Sequence, residues 1–146
     1  MKDWADISLS HVSFVQSKNG VKEWELTADQ AQLFEKDQAA HLKKISVVMK
    51  NKIGEAVTLS GDSGKMDMEG KRFFIQQEKN PVSIAWDNGY TIKTSELNFS
   101  SEENMVASDK EVKIAGSRIS MRGDGLRLFL DRSELTILGD VHAELY

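Results

Sequence analysis

Between Gly89 and Gly116 the chain alternates apolar and polar residues with a period of two. Tyr90, Ile92 and Thr94 share one phase and Thr91, Lys93 and Ser95 the other, as in a half-buried strand. Leu97 and Phe99 alternate with Asn98 and Ser100 before the polar turn Ser101-Glu102-Glu103-Asn104. Met105 and Val106 open a third strand, Ser108-Asp109-Lys110 ends it, and Val112 and Ile114 alternate with Lys113 and Ala115 in a fourth. Strand, corner, strand, turn, strand, turn, strand: the rest of the chain reads as worn copies of this unit.

The first copy starts in residues 6–17, with Ile7 and Leu9 in one phase and Val12 and Phe14 in the other. The slip at Ser10-His11 predicts a bulge. Asn19-Gly20 between alternating runs predicts a tight hairpin. Trp24, Leu26 and Ala28 alternate next, Asp29-Gln30-Ala31 reads as a corner, and Asp37-Gln38 as a turn before Leu42, Ile45, Val47 and Met49. Asn51 to Gly54 turns into a second copy, which breaks at Asp62-Ser63-Gly64, continues through Met66 and Met68, and turns at Glu69-Gly70-Lys71 into Phe73-Phe74-Ile75. Pro81, the sole proline, precedes Val82, Ile84 and Trp86 at a strand start, where proline is tolerated. A last copy runs from Ile119 and Met121 through Gly123-Asp124-Gly125 to Leu126, Leu128 and Leu130. It turns at Asp131-Arg132-Ser133 and again at Gly139-Asp140, and ends on Val141 and Ala143.

The copies keep a spacing. Leu26, Leu59, Ile92 and Met121 stand in equivalent places, as do Val47, Val82, Val112 and Val141 at the closing strands. Both series step by about 30 residues, the mark of one repeated supersecondary unit. The steps are too uneven for a regular solenoid. They predict an all-β chain, an elongated and twisted antiparallel β-jelly roll (an open sandwich) of about fourteen to sixteen short strands. With one proline and no low-complexity linker, residues 1–146 read as a single domain.

Composition narrows the function classes. A net charge of −4 lacks the basic footprint of a nucleic-acid binder. There is no cysteine, hence no disulfide and no thiolate metal site. No apolar run approaches the ~18 residues that cross a bilayer as a helix. His11, His41 and His142 lie far apart without ligand spacing, and no Ser/His/Asp arrangement or carboxylate pair can be assembled. Asp62, Asp124 and Asp140 each follow a glycine at a corner, where an aspartate caps its own turn. The chain therefore reads as non-enzymatic, with no metal and no cofactor.

What stands out is a run of soft apolar residues in one phase: Met49, Met66, Met68, Trp86, Phe99, Met121, Leu128 and Leu130. A dry sandwich core needs such a phase. So does an open groove for lipid, where the thioether of methionine adapts to irregular chains. Periodicity alone does not separate the two.

Gly20…Trp24-Glu25-Leu26-Thr27-Ala28 followed by Ile45-Ser46-Val47-Val48-Met49 resembles the opening of the LptC family. Leu59-Ser60-Gly61…Gly64-Lys65-Met66-Asp67, Pro81-Val82-Ser83-Ile84, Gly89 to Leu97 and Leu138-Gly139-Asp140-Val141 agree with it, so the likeness spans residues 6–146. The resemblance implies a periplasmic component of lipopolysaccharide export in Gram-negative bacteria. It further implies a single-span N-terminal tether to the inner membrane in the parent protein. Its partners would be lipopolysaccharide, the inner-membrane ABC transporter subunits and a periplasmic bridge protein of the same fold. Acyl chains would lie along Val47, Met49, Leu59, Met66, Met68, Ile84, Trp86, Ile92, Phe99, Ile114, Met121 and Leu128. The terminal strand, with Val141, Ala143 and Leu145 in one phase, would be the edge that docks the bridge protein. A closed β-sandwich acting in assembly or adhesion is the competing expectation.

Overall fold

The computed structural model describes residues 6–50, 54–67, 69, 71–87 and 89–146. Among these residues, fourteen strands, every pair antiparallel, make one hydrogen-bonded sheet. Four long strands come first: β1 (Ile7–Lys18), β2 (Val21–Phe34), β3 (Ala39–Lys50) and β4 (Ala56–Asp67). Ten short ones follow: β5 (Arg72–Gln76), β6 (Val82–Trp86), β7 (Thr91–Thr94), β8 (Glu96–Ser100), β9 (Met105–Ser108), β10 (Val112–Ala115), β11 (Ile119–Gly123), β12 (Gly125–Phe129), β13 (Glu134–Leu138) and β14 (His142–Leu145). The strand count falls within the expected range, but the first four run 12–14 residues and are not short.

β4 is the branch point. Its first half pairs with β6 and its second half with β5. From there the sheet forks into two arms, β5-β8-β9-β12-β13 (half I) and β6-β7-β10-β11-β14 (half II). The chain shuttles between the arms two strands at a time, so each copy of the repeat is one round trip. β1 to β4 belong to both halves, because each crosses the corner between them without breaking. The corner is a row of residues left out of register: His11 and Asp29 between β1 and β2, then Lys44 and Asp62 between β3 and its neighbours.

This arrangement corrects three local expectations. The slip at Ser10-His11 is this corner and not a bulge: His11 has φ 53 and both strands skip one residue together. The register-shifting bulge lies at Gln16/Ser17, where β2 carries the extra Glu23. The breaks expected at Asp29-Gln30-Ala31 and Asp62-Ser63-Gly64 are crossings of the same corner within continuous strands. The Asn19-Gly20 hairpin is as expected, with φ 53 and 78 at its two central residues. The turn expected at Asn51 to Gly54 falls mostly outside the described residues, as does Gly70 of Glu69-Gly70-Lys71.

The glycines of the corner allow close approach. A Cβ on Gly64 would meet the main-chain carbonyl of Phe74 and, at 2.7 Å, the Cδ1 of Ile45. Side chains stitch the rest, each reaching to the adjacent crossover. The Asp62 carboxylate accepts backbone N–H bonds from Lys79 and Asn80 at 2.7 Å each and from Glu78 at 3.2 Å. Asp124 accepts the N–H of Asp140 at 3.2 Å. These aspartates therefore cap the neighbouring connection instead of their own turn. Buried Thr94 donates to the Glu111 carbonyl at 2.9 Å and meets the Ser108 hydroxyl at 3.2 Å.

The N–H groups of Asn80 and Lys79 hold the Asp62 carboxyl well below its ordinary range, at about 2. A carboxylate depressed on folding contributes stability that is complete above its unfolded pKa, ~3.9, and that disappears as pH falls toward the folded value. Asp62→Asn should lower the melting temperature at pH 7 and flatten its decline from about pH 4 to about pH 2. Thermal melts across that window test it, and parallel acid curves for the two proteins would remove Asp62 from the acid response.

Two apolar ladders line the inside of the folded sheet. In half II, Phe14, Leu26, Val47, Leu59, Ile84, Ile92, Ile114, Met121 and Ala143 stand directly opposite one another from β1 to β14. In half I the ladder is Ile7, Leu33, Ala40, Met66, Phe73, Phe99, Val106, Leu128 and Leu135. They meet across the interior as one apolar cluster. Each fully buried aliphatic member is worth about 1.5–3 kcal/mol in removed surface. Trp24 of half II closes the gap, its ring edge-on to Phe73 at 5.5 Å and Phe99 at 6.4 Å, both in half I.

Candidate functional site

The two ladders part at the C-terminal end of the molecule. There a cavity of about 370 Å³ opens between the arms. Trp86, Tyr90, Ile114 and Met121 line it from half II, Leu128, Leu135 and Ile137 from half I, with Glu55 and Ser133 as polar members. Trp86, Met121 and Ile137 are only partly buried, packed against the core on one side and facing the cavity on the other. A second cavity, about 420 Å³, lies where the rims meet near Trp24, with Val21, Met49, Phe99 and Leu130 among its walls.

Of the candidate groove residues, Val47, Leu59, Ile84, Ile92, Ile114 and Met121 fall on the half II ladder and Met66, Phe99 and Leu128 on that of half I. Met49 and Trp86 share the next row of half II, joined through Val57. Met68 lies outside the described residues. Trp86, Ile114, Met121 and Leu128 line the C-terminal cavity. Val47, Leu59, Ile84 and Ile92 are at most 1% exposed inside the packed core, so along that length the interior is filled by protein. Tyr90, Leu135 and Ile137 line the cavity although the apolar phase did not single them out. They share that phase, but only the pairing order shows which members are left uncovered at an end.

Free edges border this opening. Among the described residues β14 pairs only with β11 and β13 only with β12, so both arms finish in an unpaired strand at the same end. All four residues of β14 are exposed, Leu145 by 79%, and Val141 just before it by 48%. Ala143 ends the half II ladder beside Met121. At the opposite end β1 pairs, among the described residues, only with β2, and Ile7, the first rung of half I, is 52% exposed.

His11 and His142 are exposed, and the His41 ring packs on Phe34 at 4.6 Å. Burial, then the charge of Lys65, lowers the pKa of His41. Among the described residues no three His, Cys, Asp or Glu side chains are grouped to hold a metal ion.

An open, curled sheet with an apolar interior ending in free edges is the architecture, and sequence comparison assigns it. A family model described as "Lipopolysaccharide-assembly, LptC-related" matches residues 1–146. The chain belongs to the LptC-related family. Among solved structures it is similar in fold to LptH, described as the LptA-homologous periplasmic component of the conserved lipopolysaccharide transport device of Pseudomonas aeruginosa. That likeness has a TM-score of 0.63 at 12% identity and covers 84% of this chain and 94% of the other. At such identity it shows the jelly-roll fold. No curated protein matches the chain by sequence.

Proposed function

We propose that this LptC-related chain is a non-enzymatic, single-domain carrier that passes lipopolysaccharide from inner-membrane ABC transporter subunits to a periplasmic bridge protein of like fold. The periplasmic setting and the inner-membrane tether belong to the same reading. The observation that carries it is the 370 Å³ cavity that opens where the two apolar ladders part, bordered by unpaired strands. An acylated sugar must keep its headgroup in water while its chains leave it, and a cleft open along one side permits that. The buried stretch from Val47 to Ile92 admits chains only if the rims separate, and the half-exposed residues at the C-terminal mouth are where entry costs least.

Photo-crosslinking tests this. Benzoyl-phenylalanine at Trp86, Met121 or Leu135 should capture lipopolysaccharide, while the same probe at Val48 and Asn98, on the outer faces, should not. Equal capture on both faces would eliminate the cleft and leave the closed assembly module as the reading.

A further inference from the structure

The outer face of half II carries a feature that neither the fold nor lipid-chain binding accounts for. One cross-strand row runs from Ser83 on β6 to Lys93, Lys113, Arg122 and His142 on β7, β10, β11 and β14. On β1 to β4 the same row holds only hydroxyls, Ser13, Thr27, Ser46 and Ser60. Like charges directly opposite one another destabilise a sheet. Here two successive pairs, Lys93 with Lys113 and Lys113 with Arg122, are of that kind in a chain whose net charge is −4.

Little compensates them. Arg122 reaches Glu111 at 4.0 Å and His142 reaches Glu144 at 3.7 Å, both exposed pairs of small worth. Among the described residues neither the Lys93 nor the Lys113 side chain has an ion-pair or hydrogen-bond partner. The row lines a concavity of about 770 Å³, with the parallel row Thr91, Ala115, Ser120 and Glu144 beside it. Strands lie ~4.8 Å apart, so Lys93, Lys113 and Arg122 spread over roughly 10 Å. One phosphate group reaches two of them, whereas two phosphates on a rigid frame engage all three. The walls of the concavity also include Ile114, Ala115, Met121 and the carboxylate of Glu144, which faces His142 at 3.7 Å. Among the described residues that line it there is no Trp, Tyr or Phe, the large anchors that dominate peptide and protein interfaces.

We infer that the Lys93–Lys113–Arg122 row binds the phosphorylated sugar headgroup of a glycolipid that carries two or more phosphates. The anion preference stands on the row itself, and the ligand's identity rests on the carrier reading above. The two sites share strands: Ile114 and Met121, the inward neighbours of Lys113 and Arg122, line the apolar cavity. Lys113 lies three residues from Gly116 at the rim, about 10 Å along an extended strand. A headgroup leaving the mouth there folds over the rim onto the cations while its chains stay inside.

The test is a ¹⁵N–¹H titration of the whole chain at low salt with three probes: a deacylated bis-phosphorylated glucosamine disaccharide, its dephosphorylated form, and inorganic phosphate. The bis-phosphorylated probe should shift the amides of Lys93, Lys113 and Arg122, and the dephosphorylated one should not. The triple variant Lys93→Gln/Lys113→Gln/Arg122→Gln should bind the first probe at least about tenfold more weakly, since charge-assisted bonds are lost. Its melting temperature should be equal or higher, because repulsion is relieved. Undiminished binding by the variant, or no shift in the wild type, overturns the site. Equally tight inorganic phosphate, or tighter displacement by an acidic peptide, overturns the headgroup as occupant. Lipid capture at Met121 is scored separately: if it fails while the amide shifts persist, the carrier reading falls and the anion site remains.

Discussion

Trp24→Ala is expected to cost about 3–5 kcal/mol of folding stability, the range for removing a large buried aromatic. For a chain of this length that is a fall in melting temperature of roughly 10–15 °C. The size follows from where the ring sits. Trp24 is 4% exposed on β2 in half II, yet its edge contacts are Phe73 and Phe99 in half I, which stack on each other at 4.7 Å. Removing it leaves a void between the halves instead of a dent in one sheet, and the void merges with the 420 Å³ cavity that Trp24 already lines. Its Nε1–H has no acceptor among the described residues, so Trp24→Phe forfeits no hydrogen bond and should recover most of the loss. Calorimetric melts of the three proteins decide it. An unchanged melting temperature in the alanine variant would mean that the halves are held together elsewhere, along the corner.

The period of about 30 residues was legible, and the structure gives it a meaning. Leu26, Leu59, Ile92 and Met121 sit on one ladder because each round trip through half I returns the chain to the same row of half II. The second series was less uniform. Val47 is on that ladder, but Val82 and Val112 stand two positions nearer the corner than Ile84 and Ile114, which hold the ladder places. An offset of two keeps a side chain on the same face, so alternation cannot detect it. The same degeneracy hid the cavity. Leu59 and Met121 are alike in phase, and only the stacking order of strands makes one a core residue and the other a wall of the opening.

The corner was misread for a related reason. Asp29 and Asp62 look like turn residues, and in a short-strand fold they would end their strands. In β1 to β4 the backbone bends at them while pairing resumes two residues later, as from Ser10↔Gln30 to Val12↔Ala28. Local sequence specifies the bend. Whether the strand survives it depends on neighbours that bend in the same row. The basic row on the outer face is a different case: alternation puts Lys93 and Lys113 in the phase opposite the apolar residues, where both are exposed, but their alignment exists only through pairing β7 with β10.

Deleting residues 139–146 should abolish capture of the bridge protein while leaving lipid crosslinking at Phe99 intact. β14 is four residues long and carries no lysine or proline that would blunt an edge; His142 and Glu144 on its outer face are its only polar side chains. Its free side is well formed for strand addition. The Tyr146 N–H donates to the Arg118 carbonyl at 3.0 Å. Hydrogen-bonded pairs alternate along an antiparallel ladder, so Ser120/Glu144 is bonded to β11 in the same way and Met121/Ala143 is not. Ala143 and Leu145 therefore point their N–H and C=O groups away from β11, toward whatever docks. Ala143→Pro removes an outward donor without breaking a bond to β11, a position where an edge strand tolerates proline. It should weaken capture strongly at an unchanged melting temperature, whereas proline at Glu144 should also destabilise β14 itself. The incoming strand would extend the half II ladder past Ala143, carrying the apolar track from this chain into its neighbour. If the truncated chain still captures the bridge protein, docking belongs to β13, whose free edge closes half I at the same end, or to β1 at the other.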